Sequence, residues 1–238
     1  MSRFYMSLLA ALLLSAAIQA QAAEVGGNVS LVSDYVYRGV SQTNENPAIQ
    51  GGFDIAGDNG LYAGVWASNI SYDGNIEIDF FAGYAGSMGE QGEYDLGLVY
   101  LAYPDDNQVL DAETGARAPD SSFYGVYGSI GYAGFTLGLN YSPDFFFESG
   151  KAVYLTLGYE WSLPNDFALT FHYGRQTIDD NKVFGTPDYA DYSIGLSKSF
   201  ASIDAALTWH DSELSDMECF GGSDNCSSRL VFGLSKSL

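Results

Sequence analysis

Positive charge is scarce: 9 Lys and Arg stand against 30 Asp and Glu in 238 residues, a formal net charge of −21. A surface of that sign repels phosphate backbones, which excludes nucleic acid as a partner. Charge of either sign is thin, at 16% of residues, below the roughly 25% of soluble domains. The chain is nevertheless no disordered acidic tail, because 18 Tyr and 15 Phe carry too much apolar area to leave in water. Helix-period apolar stretches are missing, and after residue 22 no run approaches the 18 or so apolar residues of a membrane helix. If the protein is in a membrane, it crosses as strands.

Residues 1–22 read as an export signal, with Arg3 as the positive n-region, Met6 to Ile18 as the apolar stretch and Ala20-Gln21-Ala22 as a small-x-small cleavage site. One domain, 23–238, follows. Cysteine is nearly absent: Cys219 and Cys226 lie close together in a polar segment, and in an oxidising compartment that spacing reads as a loop staple. A metal pair would want further Cys or His nearby, and His210 is the nearest. No metal, cofactor or catalytic residue is read from the chain. Asp105-Asp106-Asn107 and Asp179-Asp180-Asn181 lack a full calcium loop and read as solvated loop charge.

What is present is alternation of period two, the strand signature. Val25, Val29, Leu31, Tyr35 and Tyr37 share one parity, while Asn28, Ser30, Asp34 and Arg38 share the other. The pattern repeats through about twelve segments: 25–38, 48–56, 61–70, 76–85, 93–103, 122–132, 135–142, 151–161, 166–177, 189–199, 202–210 and 228–238. Their connections alternate long and short, with 71–75 and 86–92 out of line. The fold expected is therefore all-β: an up-and-down antiparallel transmembrane β-barrel with long outer loops and short periplasmic turns. Tyr84, Tyr132, Tyr159, Trp161 and Phe200 fall on the apolar parity near the periplasmic ends, as an aromatic girdle would. Lys198 and Lys236 share that parity, where they can snorkel to headgroups.

If the apolar parity faces lipid, the other lines a lumen. It holds the acids Asp34, Asp54, Glu77, Asp79, Asp95, Glu160, Asp191 and Asp204, the bases Arg38 and Arg229, and both histidines, His172 and His210. Asp54, Asp95, Glu160 and Asp204 sit toward the periplasmic ends as a candidate acidic ring. Arg38 and Arg229 would be neighbours where the first and last strands meet. Eight acids cannot all pair with two bases, so the rest require water or cations, and carboxylate rings favour cations. The function expected is passive passage of small solutes, cation-preferring or zwitterion-tolerant. Outer-membrane lipid, lipopolysaccharide and, through the C-terminal strand, the barrel-assembly machinery are the other partners expected; oligomeric state stays open.

The runs Ser33-Asp34-Tyr35-Val36-Tyr37-Arg38-Gly39-Val40-Ser41-Gln42-Thr43, Pro47-Ala48-Ile49-Gln50-Gly51-Gly52-Phe53-Asp54 and Tyr62-Ala63-Gly64-Val65-Trp66-Ala67-Ser68-Asn69 resemble the TorF-type porin family of Gram-negative bacteria, an outer-membrane barrel domain of unknown function. The resemblance implies a barrel and a porin role, and supplies no catalytic residue. Two rival classes remain. An outer-membrane lipid or lipopolysaccharide hydrolase would need a base such as His172 or His210 near Asp204, Asp211, Ser193 or Thr208, but no Gly-x-Ser-x-Gly element occurs. A non-conducting, loop-presenting structural or adhesin barrel would use the long segments 104–121 and 211–227.

Overall fold

The computed structural model describes residues 23–71, 74–104 and 119–238. The export segment 1–22, the Asp105-Asp106-Asn107 run and most of the long 104–121 connection lie outside the described residues. The strands are β1 (Ala23–Val32), β2 (Val36–Tyr37), β3 (Val40–Ser41), β4 (Ala48–Gly57), β5 (Leu61–Asn69), β6 (Ile76–Met88), β7 (Gly92–Ala102), β8 (Phe123–Tyr132), β9 (Phe135–Ser142), β10 (Ala152–Leu163), β11 (Phe167–Ile178), β12 (Tyr189–Phe200), β13 (Ile203–Ser212) and β14 (Arg229–Ser237). All but β2 and β3 form one closed antiparallel barrel of twelve staves in sequence order. β1 closes it, pairing with β4 on one side and β14 on the other, Leu31 opposite both Ile49 and Leu234.

Closure matters because a sheet edge in hydrocarbon would leave backbone amides without partners, and a barrel has no edge. The barrel strands run from 8 to 13 residues, around the 9–11 that a tilted strand needs to cross a bilayer. Phe53, Leu96, Leu98 and Leu137 point outward and stay about 60% exposed. In water they would form an apolar patch far larger than a soluble monomer tolerates, so this belt is the membrane-facing surface. Tyr84, Tyr132, Trp161 and Phe200 are among the outward residues at the short-turn end, and there the Lys198 ammonium lies 4.3 Å from the centre of the Phe167 ring.

Loop lengths sort by end without exception. One end carries the turns 58–60, 89–91, 133–134, 164–166 and 201–202; the other carries all six long connections. The irregularity expected at 86–92 disappears because β6 runs on to Met88 and reverses at Gly89, whose φ is +68°.

A larger departure lies at the first long connection. Alternation through Tyr37 predicts a strand over 25–38, with Tyr35 and Tyr37 toward lipid, but β1 stops at Val32. Ser33 ends it by bonding Phe232 with both its amide (2.8 Å) and its hydroxyl (2.9 Å). Residues 33–47 then fold into the barrel. There β2 and β3 pair across Arg38-Gly39, both at positive φ (+49° and +77°), the geometry of a tight two-residue hairpin turn. Gly39 abuts Asp191 and Ser212, leaving no room for a Cβ. The alternating residues are those of a hairpin that binds the inside of the wall.

The apolar core sits at the long-loop end. Phe123, Phe145, Phe146 and Phe184 pack with Tyr103, Val40, Leu214 and the Cys219–Cys226 disulfide into a buried cap. The Phe123 ring lies 4.6 Å from Phe146 and 4.7 Å from Phe145, centre to centre. At Asp179-Asp180-Asn181, Asp180 caps the short helix α1 (Asn181–Phe184) and Asp179 lies 3.8 Å from Lys151.

Candidate functional site

The interior divides into three levels. At the short-turn end, Asp54, Asp95, Glu160 and Asp204 lie on β4, β7, β10 and β13, which are the second, fifth, eighth and eleventh staves of twelve. Three-stave spacing distributes these four inward carboxylates one to each quarter of the circumference. Asp95 accepts from the Tyr62 hydroxyl at 2.5 Å, which meets the Tyr127 hydroxyl at 2.6 Å; Asp204 accepts from Ser199. Among the described residues none of the four is in an ion pair.

Above them is a cavity of about 700 Å³ bounded by Trp66, Asp79, Phe81, Tyr127, Thr208, His210 and the inner face of the 33–47 hairpin. Acids at this level are mostly satisfied from within the protein. Glu77 accepts hydroxyl bonds from Tyr35 (2.7 Å) and Tyr103 (2.6 Å). Asp191 accepts from Tyr154 (2.9 Å) and meets His172 Nε2 at 3.1 Å. Asp34 takes Arg229 at 2.9 Å and the hydroxyls of Ser41 and Thr43 at 2.7 and 2.8 Å. Among the described acids only Asp79 keeps a buried oxygen without a hydrogen-bond donor. Counting acids against bases predicts that most of these carboxylates need water or cations. Tyrosine and serine hydroxyls answer much of that need instead, including Tyr35, which alternation assigned to the lipid face.

The two arginines part company. Arg229 stays on the wall, on β14, and reaches Asp34 and, at 3.4 Å, Glu45. Arg38 is not a wall residue, because β1 has ended six positions earlier; it sits at the hairpin tip and donates to Gln176 Oε1 of β11 at 2.5 Å. Its guanidinium carbon lies 4.2 Å from the centre of the Tyr154 ring, 4.8 Å from Tyr37 and 5.4 Å from Phe145. Burial, partly offset by the adjacent Arg38 charge, pushes the Tyr37 phenol up to about 12, so it stays neutral. Tyr37 and Arg38 form a partition. On its inner side is a space of about 340 Å³ bounded by Tyr154, His172, Asp191, Ser193 and His210; on its outer side, one of about 250 Å³ among Phe145, Phe146, Phe184, Tyr189 and Phe220.

A family model described as a bacterial protein of unknown function (Gcw_chp) matches residues 16–238. The chain belongs to that family. This bears out the resemblance carried by Ser33–Thr43 and its companion runs. Among curated proteins none matches this chain in sequence. Its fold is shared with solved porins. A KdgM porin structure superposes with a TM-score of 0.58 at 10% identity, covering 90% of this chain and 99% of that one. A NanC porin structure gives 0.51 at 12% identity, covering 89% and 98%. A KdgM porin in complex with disordered oligogalacturonate gives 0.57 at 8% identity, covering 91% and 99%. At such identities the likeness is one of architecture.

Several residues that shape the interior escape a reading confined to charge. Tyr62, Trp66, Tyr127, Tyr154 and Gln176 all sit on inward parity of their strands, so alternation alone marks them; their uncharged chemistry hides them. Ser41, Thr43 and Phe145 could not be found that way, since they act from loops folded inward.

Proposed function

We propose that the protein is a non-enzymatic outer-membrane channel for passive diffusion of small solutes, preferring cations and tolerating zwitterions, with its narrowest point at Tyr37–Arg38. The observation that carries this reading is the set of four inward carboxylates, one per quarter-turn at the short-turn end and none in an ion pair. Such a ring concentrates cations and repels anions before any contact is made. The cavity of about 700 Å³ above it offers room for a small solute. A polyanion such as the oligogalacturonate of the KdgM complex does not suit a mouth of this sign. The orientation follows from loop length, the short turns facing the periplasm and the long connections the exterior. The signal segment would deliver the chain to that membrane, and β14 would be the strand presented to the barrel-assembly machinery.

The hydrolase alternative finds little support. His172 Nε2 is already engaged by Tyr154 and Asp191, and Ser193, opposite both His172 and His210 in register, makes no hydrogen bond to either ring. The buried aromatic cap favours a second reading, a barrel that stays shut and serves through its loops. Planar-bilayer recording separates the two. The channel reading expects discrete conductance and a reversal potential on the cation side; no conductance, or anion preference, overturns it.

A further inference from the structure

Arg38 is a cation held inside the barrel without an acid in contact. No carboxylate of the described residues lies within ion-pair distance of it; three aromatic rings and one amide oxygen hold it instead. All three ring centres are inside the roughly 6 Å at which a ring quadrupole attracts a cation.

The wall half of this box is arranged independently of Arg38. Gln176 is fully buried, and its amide nitrogen donates to the carbonyls of Val153 (3.4 Å) and Thr177 (3.1 Å), which aims Oε1 into the box. The Tyr154 ring is fixed through its hydroxyl by Asp191 and His172. The occupant, by contrast, arrives on a loop whose turn adopts left-handed backbone at Arg38 itself (φ +49°). A prebuilt site filled by a tethered group is a site that a free group of the same chemistry can fill.

We propose that the Tyr154–Phe145–Gln176 box is a binding site for a small guanidinium solute, and that Arg38 occupies it as an intramolecular stand-in. A free guanidinium that takes the box releases the hairpin tip and joins the inner and outer spaces that Tyr37 and Arg38 now separate. The release step rests on the channel reading; the binding step does not.

The test uses the full-length protein refolded in detergent micelles, with methylguanidinium as probe and tetramethylammonium, a cation without N–H donors, as control. Wild type should bind methylguanidinium in the millimolar range and tetramethylammonium at least tenfold more weakly, by titration calorimetry. Arg38→Ala empties the box and should tighten methylguanidinium binding by about tenfold or more, since the tethered competitor is gone. Arg38→Lys keeps a tethered cation and should stay near wild type. In bilayers methylguanidinium should raise the conductance of wild type, and Arg38→Ala should conduct at the raised level without it. Equal affinities in wild type and Arg38→Ala, no binding in wild type, or equal binding of the two cations would overturn the proposal. If Arg38→Ala conducts but methylguanidinium neither binds nor raises the wild-type conductance, the box proposal falls and the channel reading stands; if binding follows the pattern while nothing conducts, the reverse holds.

Discussion

The contact between Arg229 and Asp34 ties the inward hairpin to the last strand, and its removal should be felt by the whole fold. Arg229 Nη1 lies 2.9 Å from Asp34 Oδ2, with side chains 9% and 6% exposed. Replacing Arg229 by Met leaves a buried carboxylate without its counter-charge, a loss of about 3–5 kcal/mol in comparable pairs. Asp34 keeps the Ser41 and Thr43 hydroxyls, which places the expected loss near the lower figure, about 3 kcal/mol or roughly 150-fold in the unfolding equilibrium. The second ion pair of Arg229, to the half-exposed Glu45, adds little, because solvent screens it. The double variant Asp34→Asn/Arg229→Met removes both charges and should recover at least about 1.5 kcal/mol relative to Arg229→Met. Urea unfolding in micelles, followed by tryptophan fluorescence, measures all three proteins. A loss below about 1 kcal/mol in Arg229→Met, or a double variant no more stable than the single, would refute the view that this pair anchors the hairpin.

Neutralising the ring with Asp54→Asn, Asp95→Asn, Glu160→Gln and Asp204→Asn should move the reversal potential in a salt gradient toward zero; an unchanged potential would show that selectivity arises elsewhere. Reducing the Cys219–Cys226 bridge, whose sequence separation is 7, should lower stability by about 2.5 kcal/mol on loop-entropy grounds, read from unfolding curves with and without reductant. At the 201–202 turn Ser202 has φ +64°, so Ser202→Gly should stabilise the barrel by about 1 kcal/mol; destabilisation would mean that its hydroxyl matters more than its backbone.

Legibility differed between wall and interior for a physical reason. On the wall, each outward position must be apolar and each inward one must not, so period two and the facing of the wall strands could be read residue by residue, from Leu96 and Leu98 facing out to Asp95 facing in. The interior has no such single demand. Tyr35 and Tyr37 continue the alternation, yet they belong to a hairpin within the barrel, because Ser33 ends the strand and Arg38-Gly39 turns it back. Charge counting likewise expected unpaired acids, whereas Glu77 and Asp191 are met by the hydroxyls of Tyr35, Tyr103 and Tyr154 from other segments of the chain.

The sequence by itself determined the barrel: its strands, their facing, the sorting of its loops and the net negative charge, all local consequences of alternation in a chain whose two sides meet different solvents. Only the tertiary structure decided what fills the barrel. The meeting of Arg38 with Gln176, of Asp34 with Arg229 and of Phe145 with Phe184 joins residues far apart in the chain through loops without periodicity. Such contacts are fixed by shape and hydrogen-bond geometry, and these exist only once the barrel has closed around them.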